Sequence, residues 1–74
     1  MEVLLFGILA EKAGSDRVEV QVTSIAQLRQ AMAEQIPGLE RIDHLIAVDR
    51  VVVHDDRPLN GREEIALLPP FAGG

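Results

Sequence analysis

The last six residues carry the clearest chemical signal in the sequence. They are Pro69, Pro70, Phe71, Ala72, Gly73 and Gly74. The two prolines stiffen the chain and favour an extended backbone, and six extended residues reach at most about 20 Å. Glycine has no side chain, so such a tail could enter a narrow channel of another protein and present the carboxylate of Gly74 there. The alternative is a frayed end, which most domains have.

No other residue pattern predicts a catalytic or metal site. His44 and His54 are ten residues apart in different predicted strands and lack the third and fourth ligands that a metal site needs. Ser15, Thr23 and Ser24 have no sequence context of an activated nucleophile. A glycine-rich phosphate loop is also absent from the sequence. We therefore expect the chain itself to bind neither a metal nor ATP.

The composition narrows the range of partners. The 74 residues have a net charge of −5, and only two are aromatic. Nucleic-acid binding depends on clustered cations and aromatic stacking, so we expect no nucleic-acid partner. The sequence has no cysteine, which fits a reducing cytoplasm, and its apolar stretches are too short for a membrane span. We expect a cytoplasmic protein with no membrane association.

Five segments have the composition and apolar alternation of β-strands. They cover residues 2–9, 17–22, 45–48, 51–53 and 63–68. In the second segment Val18, Val20 and Val22 alternate with polar residues, which is typical of a half-buried strand. Residues 10–14 favour a helix, and residues 14–16 are of types that form turns, so we expect a turn between the first two strands.

One main helix is predicted between the second and third strands. Ser24 is the expected N-cap, and Gln27 completes a capping box three residues later. The apolar face of this helix consists of Ile25, Leu28, Met32 and Ile36. Pro37 blocks continuation of the helix, and Gly38 accepts the positive φ of a C-terminal cap.

The predicted element order is therefore β-β-α-β-β-β. A single helix covers only one face of a sheet, which predicts an α+β roll. By analogy with known folds, the β-grasp arrangement is the natural candidate, with the first and last strands parallel at the centre of the sheet. We expect one domain over residues 1–74, of which residues 69–74 form an extended, flexible tail.

Strand alternation also predicts which residues remain on the uncovered face. Glu2 and Glu64 mark the outward side of the first and last strands. The outward apolar residues are then Leu4, Phe6, Ile8, Val52, Ala66, Leu68 and Pro70, with Arg50 and His54 flanking Val52. The inward residues are Val3, Leu5, Gly7, Leu9, Ile65, Leu67 and Pro69. Such a patch on a small protein usually binds a partner. The alternatives are a loop folded over it, or two central strands that are simply rich in apolar residues.

Several motifs resemble one protein family. The segment Leu67-Leu-Pro-Pro-Phe-Ala-Gly-Gly74 resembles the C-terminal signature of the small, sulfur-carrying subunits of molybdopterin synthase. The supporting motifs are Val3-Leu-Leu-Phe6 followed by Ala10-Glu11 and Gly14, Ala47-Val-Asp49, and Pro58-Leu-Asn-Gly61 followed by Glu64-Ile-Ala-Leu67. The resemblance covers nearly the whole chain. The departures are Arg62 for a usual acidic residue, Asp49 for Asn, and Phe71-Ala72 for the commoner Val-Ser or Val-Thr.

This resemblance implies a ubiquitin-like fold and a specific chemistry. An activating enzyme similar to ubiquitin E1 would adenylate the Gly74 carboxylate with ATP and Mg²⁺, and a sulfur donor protein would convert it to a thiocarboxylate. The large subunit of molybdopterin synthase would then pass the sulfur to a cyclic pyranopterin precursor. It would receive the tail residues Pro70, Phe71, Ala72 and Gly73 in a channel and contact Phe6, Val52 and Leu68. The small subunit would bring no catalytic side chain and bind no cofactor.

Three other functions remain open from the sequence. A sulfur carrier for thiazole synthesis also ends in Gly-Gly, although the two prolines and the outward Phe6 and Leu68 favour the molybdopterin pathway. A ubiquitin-like protein modifier would form isopeptide bonds through Gly74, and the single lysine, Lys12, disfavours lysine-linked chains. A β-grasp binding module with a passive tail would show no terminal modification.

Overall fold

The computed structural model describes residues 1–70, which form a mixed five-stranded sheet with one long helix packed on one face. The strands are β1 (Glu2–Leu5), β2 (Arg17–Glu19), β3 (Leu45–Val48), β4 (Val51–Val53) and β5 (Ile65–Leu68). The helices are α1 (Ile8–Ala13), α2 (Ile25–Gln35) and a short 3-10 helix (Leu39–Arg41). None of the helices in this range is long and apolar enough to cross a membrane.

The strands lie in the order β2-β1-β5-β3-β4. β1 and β5 are parallel, and every other neighbouring pair is antiparallel. The first and last strands are therefore side by side at the centre, as predicted. Because β5 is the central strand, the chain leaves the sheet from its middle and not from an edge.

The core lies between the sheet and α2. Four side chains in register across the sheet face it, namely Leu5, Leu67, Ile46 and Val53. They belong to one buried cluster with the predicted apolar face of α2, which is Ile25, Leu28, Met32 and Ile36. Complete burial of one such side chain stabilises a fold by about 1.5–3 kcal/mol, so this layer holds the helix on the sheet.

The start of α2 is capped from two directions. The Ser24 hydroxyl accepts a hydrogen bond from the Gln27 N–H at 3.1 Å, as predicted. The Gln27 side-chain oxygen accepts from the N–H of Thr23 at 2.8 Å, one residue earlier than a standard capping box would place it. Asp56, thirty residues away in sequence, accepts from the Ala26 N–H at 2.9 Å. This carboxylate ties the loop before β5 to the helix N-terminus, where the helix dipole favours negative charge.

The first strand is shorter than predicted. β1 ends at Leu5, and Gly7 has a φ of 59°, outside the range of a strand. Ile8 and Leu9 then begin α1, so Ile8 is not an outward strand residue, and Leu9 reaches the core from a helix. Gly7 was expected to face the core and is exposed instead. The Pro69 Cγ lies 2.9 Å from the position that a Cβ on Gly7 would occupy, so the close approach of these two residues favours glycine.

Candidate functional site

The face of the sheet opposite α2 carries a groove of about 310 Å³. The residues that line it are Leu4, Phe6, Ala47, Arg50, Val52, Glu64, Ala66 and Leu68. All but two of them are apolar. Arg50 and Glu64 are the two charged residues, so the groove combines an apolar floor with a local pair of opposite charges.

The groove is hollow because of the side chains in one row of the sheet. Leu4, Ala66, Ala47 and Val52 lie in register across β1, β5, β3 and β4. The two alanines occupy the middle of this row and are flanked by the larger Leu4 and Val52. Small side chains at the centre of a row leave space above the sheet, whereas the neighbouring core row is filled with large aliphatic residues.

The predicted partner-binding residues Phe6, Val52 and Leu68 all line this groove. Phe6 is 46% exposed and Val52 is 39% exposed, while Leu68 is half-buried. Ile8 is as exposed as Phe6 but does not line the groove, because it lies in α1. With Leu4, the structure thus brings four of the five large outward residues together. Their role in binding a partner stays a prediction.

The tight turn between β3 and β4 places Arg50 beside Glu64, the residue before β5. The Asp49 N–H donates to the Glu64 carbonyl at 2.8 Å, and the Asp49 carboxylate accepts from the Glu64 N–H at 2.9 Å. The Arg50 Nε lies 3.3 Å from the Glu64 Oε1. Both side chains are largely exposed, so this ion pair adds little to stability. The two backbone contacts fix the turn against the start of β5.

The chain leaves the sheet beside the groove. Leu68 ends β5, Pro69 is half-buried near Gly7, and Pro70 is exposed. Pro70, the first predicted residue of the channel-binding tail, therefore lies outside the core. The predictions for Phe71, Ala72, Gly73 and Gly74 concern residues outside those that the structure describes.

Two carboxyl groups in the loops before β5, those of Asp55 and Glu63, have lowered pKa values. Hydrogen bonds from backbone N–H groups, with that of Asn60 first, hold the pKa of Glu63 below its usual value. The distances from the carboxylate to the N–H groups of Asn60 and Gly61 are 2.9 and 3.0 Å. The Arg57 guanidinium, 3.2 Å from Asp55, lowers the pKa of that carboxyl by a hydrogen bond. These groups stabilise their loops and do not line the groove.

The two histidines are not assembled into a metal site in the described part of the chain. The His44 Nδ1 lies 2.7 Å from the Ile42 carbonyl oxygen, and His54 is exposed at the end of β4. Residues 1–70 contain no group of three or more His, Asp or Glu side chains arranged around a common point. The described part of the site is an apolar groove with one pair of opposite charges, beside the point where the chain leaves the sheet.

The fold and the open sheet face define a ubiquitin-like β-grasp protein. The model of the ThiS family matches residues 3–74, and the chain belongs to this family. The chain is 36% identical to the molybdopterin synthase sulfur carrier subunit of Escherichia coli K12, over 100% of this chain and 99% of that protein.

Two solved structures are similar over nearly the whole chain. SAMP1 from Haloferax volcanii has a TM-score of 0.80 and 28% identity, covering 99% of this chain and 97% of its own. A complex of subunits 1 and 2 of the molybdopterin-converting factor from Helicobacter pylori contains a chain with a TM-score of 0.71 and 26% identity, covering 99% of this chain and 96% of that one.

Most of the groove residues were predicted on the correct face of the sheet, but the hollow itself was not predicted. Ala47 was not assigned to the open face, and Glu64 served only as a marker of the outward side. The available signal was the strand register, because Ala66 pairs with both Leu4 and Ala47. Without the order of the strands, two alanines that are nineteen positions apart in the sequence could not be recognised as neighbours.

Proposed function

We propose that this chain is the sulfur carrier subunit of a molybdopterin synthase. The observation that carries the proposal is its end-to-end likeness to a sulfur carrier subunit of that enzyme. The fold agrees with it, because the central strand β5 leads directly to the tail and an apolar groove lies beside the exit. The working group is then the carboxylate of Gly74.

The proposed chemistry begins with activation of that carboxylate. A free carboxylate is a poor acyl donor, so a separate activating enzyme similar to ubiquitin E1 joins it to the AMP portion of ATP and releases pyrophosphate. Sulfur at the oxidation level of sulfide, delivered by a donor protein, attacks the acyl carbon and displaces AMP. The product is a thiocarboxylate at Gly74.

Sulfur transfer follows in the complex with the large subunit. The thiocarboxylate sulfur forms a bond to a carbon of the cyclic pyranopterin precursor and displaces an oxygen substituent of that carbon, which leaves with a proton. Water then cleaves the bond between the acyl carbon and the sulfur, which restores the Gly74 carboxylate. Acid–base and charge-stabilising groups come from the large subunit, because this chain contributes its tail and its docking surface.

The docking surface is the groove residues Phe6, Val52 and Leu68. Apolar side chains of this size at the centre of an interface often contribute a large share of the binding energy. The similar Helicobacter pylori chain was solved in a complex of two subunits, which supports a second subunit as the partner. Phe71 would help to seat the tail, with Pro70, Ala72 and Gly73 in the channel.

The direct test is the length of the tail. Deleting Gly74, or adding one residue after it, should abolish sulfur transfer to the precursor and leave the melting temperature unchanged, since every buried core residue in the described range precedes Pro69. The assay combines the chain with the activating enzyme, ATP, the sulfur donor and the large subunit of the same organism. Full activity of an extended chain, shown by mass to be unprocessed, would contradict the carrier function.

Gly73 tests the channel separately. Gly73→Val adds a branched side chain where we expect a narrow passage, so both adenylation and sulfur transfer should fall strongly. Gly73→Ala is the matched smaller change and should retain more of both. If the valine variant is adenylated and transfers sulfur at the normal rate, no tight channel surrounds this residue.

A protein modifier is the second candidate function. The observation that favours it is the structural similarity to SAMP1, which is a small archaeal modifier protein. A modifier would also be adenylated at Gly74 but would be transferred to lysines of other proteins. Immunoblots of cells that express the tagged chain distinguish the two functions, because a modifier gives covalent conjugates that resist reduction and a sulfur carrier gives only the free chain.

A further inference from the structure

The turn between β3 and β4 has an arginine at a position where the backbone has a positive φ. Asp49 and Arg50 are its two central residues, and their φ angles are 50° and 69°. Positive φ at both central positions is the pattern of a type I′ turn, which favours asparagine or aspartate followed by glycine. Aspartate at the first position fits this preference. Arginine at the second position has a Cβ where glycine has none, so it is held in a strained conformation.

The turn tolerates this strain because Asp49 anchors it. Its backbone N–H and its carboxylate both bind the backbone of Glu64, at 2.8 and 2.9 Å. This two-point contact holds the hairpin rigidly against the first residues of β5. The direction in which Arg50 leaves the turn is therefore fixed by the backbone and not by its own weak ion pair.

The guanidinium of Arg50 is exposed and available to a partner group. Its side chain is 87% exposed, and among the described residues its one hydrogen bond runs from Nε to Glu64 at 3.3 Å. Because Nε already donates to Glu64, the two terminal nitrogens remain free to donate two parallel hydrogen bonds to a carboxylate. Arg50 is also the single cation that lines the apolar groove in residues 1–70.

We propose that Arg50 is a specificity-determining residue of the groove, positioned to bind a carboxylate on the docked large subunit. The inference rests on the proposed function, because it names the chemistry that the partner must present beside the apolar contacts. On a chain of net charge −5, a basic partner would be attracted over most of the surface. An acidic side chain facing Arg50 would instead set the orientation of the complex.

The test is the affinity of Arg50 variants for the large subunit of the same organism. Arg50→Gly should weaken binding about tenfold, mainly through slower association, and Arg50→Glu should weaken it about a hundredfold by repulsion. Arg50→Lys keeps the positive charge but cannot form the bidentate contact. Its affinity should therefore lie between those of Arg50→Gly and the wild type. Added salt should reduce the difference between wild type and Arg50→Gly.

The melting temperatures of the same variants show whether a loss of affinity comes from a lost contact or from a damaged fold. Arg50→Gly should melt at the same temperature as the wild type or higher, because glycine accepts the positive φ without strain. A loss of affinity together with unchanged or raised stability identifies a contact to the partner. Arg29→Gln is the matched control: it removes one exposed positive charge from α2, on the opposite face of the sheet, and should leave the affinity unchanged.

Failure of this inference is distinguishable from failure of the proposed function. If the wild type binds the large subunit and Arg50→Gly binds equally well at low salt, Arg50 has no role in recognition and the inference is wrong. An equal loss of affinity in Arg29→Gln would also overturn it, since the effect would then come from net charge alone. If the wild type does not bind the large subunit at all, the proposed function fails and this inference fails with it.

Discussion

Two adjacent rows of side chains cross the same four strands of the sheet and have opposite consequences. The core row is Leu5, Leu67, Ile46 and Val53, and the open row is Leu4, Ala66, Ala47 and Val52. Every residue of the core row is large and buried against α2. In the open row the two central residues are alanines, and no helix within residues 1–70 covers them. One row stabilises the fold, and the other leaves a hollow on the open face of the sheet.

The comparison shows that apolar character alone does not define a core. Both rows are made entirely of apolar residues, so their hydrophobicity does not distinguish them. What distinguishes them is side-chain size at the centre and the element packed above. Substitutions in one row and not the other therefore separate effects on the stability of the fold from effects on partner binding.

The largest expected effect concerns the core row. Leu5→Ala should lower the free energy of unfolding by about 2–5 kcal/mol, because it removes buried methyl groups and leaves a cavity. The matched control is Leu4→Ala, the same change one residue earlier on the open face, where the side chain is only half-buried. Chemical denaturation of both variants measures the difference. Equal losses would show that the two faces are not distinct.

The second effect concerns binding. Phe6→Ala should weaken association with the large subunit by about 1–3 kcal/mol, roughly ten- to a hundredfold in affinity. Its effect on stability should be smaller than that of Leu5→Ala, because the ring is already 46% exposed. Ile8→Ala is the control, since Ile8 has the same exposure but lies outside the groove. The assignment of the faces is inverted if Phe6→Ala destabilises the fold as much as Leu5→Ala and keeps full affinity.

A third change fills the hollow instead of removing a contact. Ala66→Leu places a large side chain at the middle of the open row and should weaken the complex about tenfold by blocking the partner. The free chain should keep its melting temperature within a few degrees, because the added group points away from the core. Ala33→Leu on the exposed side of α2 is the control for added bulk. Unchanged affinity of Ala66→Leu, measured by calorimetry, would mean that the partner does not enter the groove.

The smallest effect is a pH dependence in the loop before β5. The pKa of Glu63 is depressed in the folded chain, first by the Asn60 N–H. Its stabilising contribution is therefore present above 4.5, the ordinary value, and is lost as the pH falls through the lower folded value. Glu63→Gln should reduce part of the loss of stability in acid. Glu34→Gln on α2, which makes none of these backbone contacts, should show the acid loss of the wild type in thermal melts between neutral and acidic pH.

Local patterns were enough to predict most of the fold. Alternation placed Leu5 and Leu67 in the core, and helical spacing placed Met32 on the buried face of α2. Both inferences need only the direction of successive side chains, which the sequence determines directly. The parallel pairing of β1 with β5 came instead from analogy, because no local pattern records which strands are neighbours.

The features that escaped prediction depend on contacts between distant residues. Asp56 caps α2 across thirty positions, and Asp49 anchors its turn to Glu64 across fifteen. The positive φ of Arg50 gives no sequence signal, because turns of this type are recognised by glycine. The end of β1 was signalled weakly by Gly7, but the apolar Ile8 and Leu9 continued the appearance of a strand.

The most direct measurement is the intact mass of the chain after incubation with the activating enzyme, ATP and the sulfur donor of its organism. A sulfur carrier should gain the mass that corresponds to the exchange of one oxygen for one sulfur, located at Gly74 by fragmentation. The increase should require ATP and should be absent when Gly74 is deleted. An unchanged mass, although the same enzyme and donor form a thiocarboxylate on another carrier, would contradict the sulfur-carrier function. Sulfur found at any other residue would also contradict it.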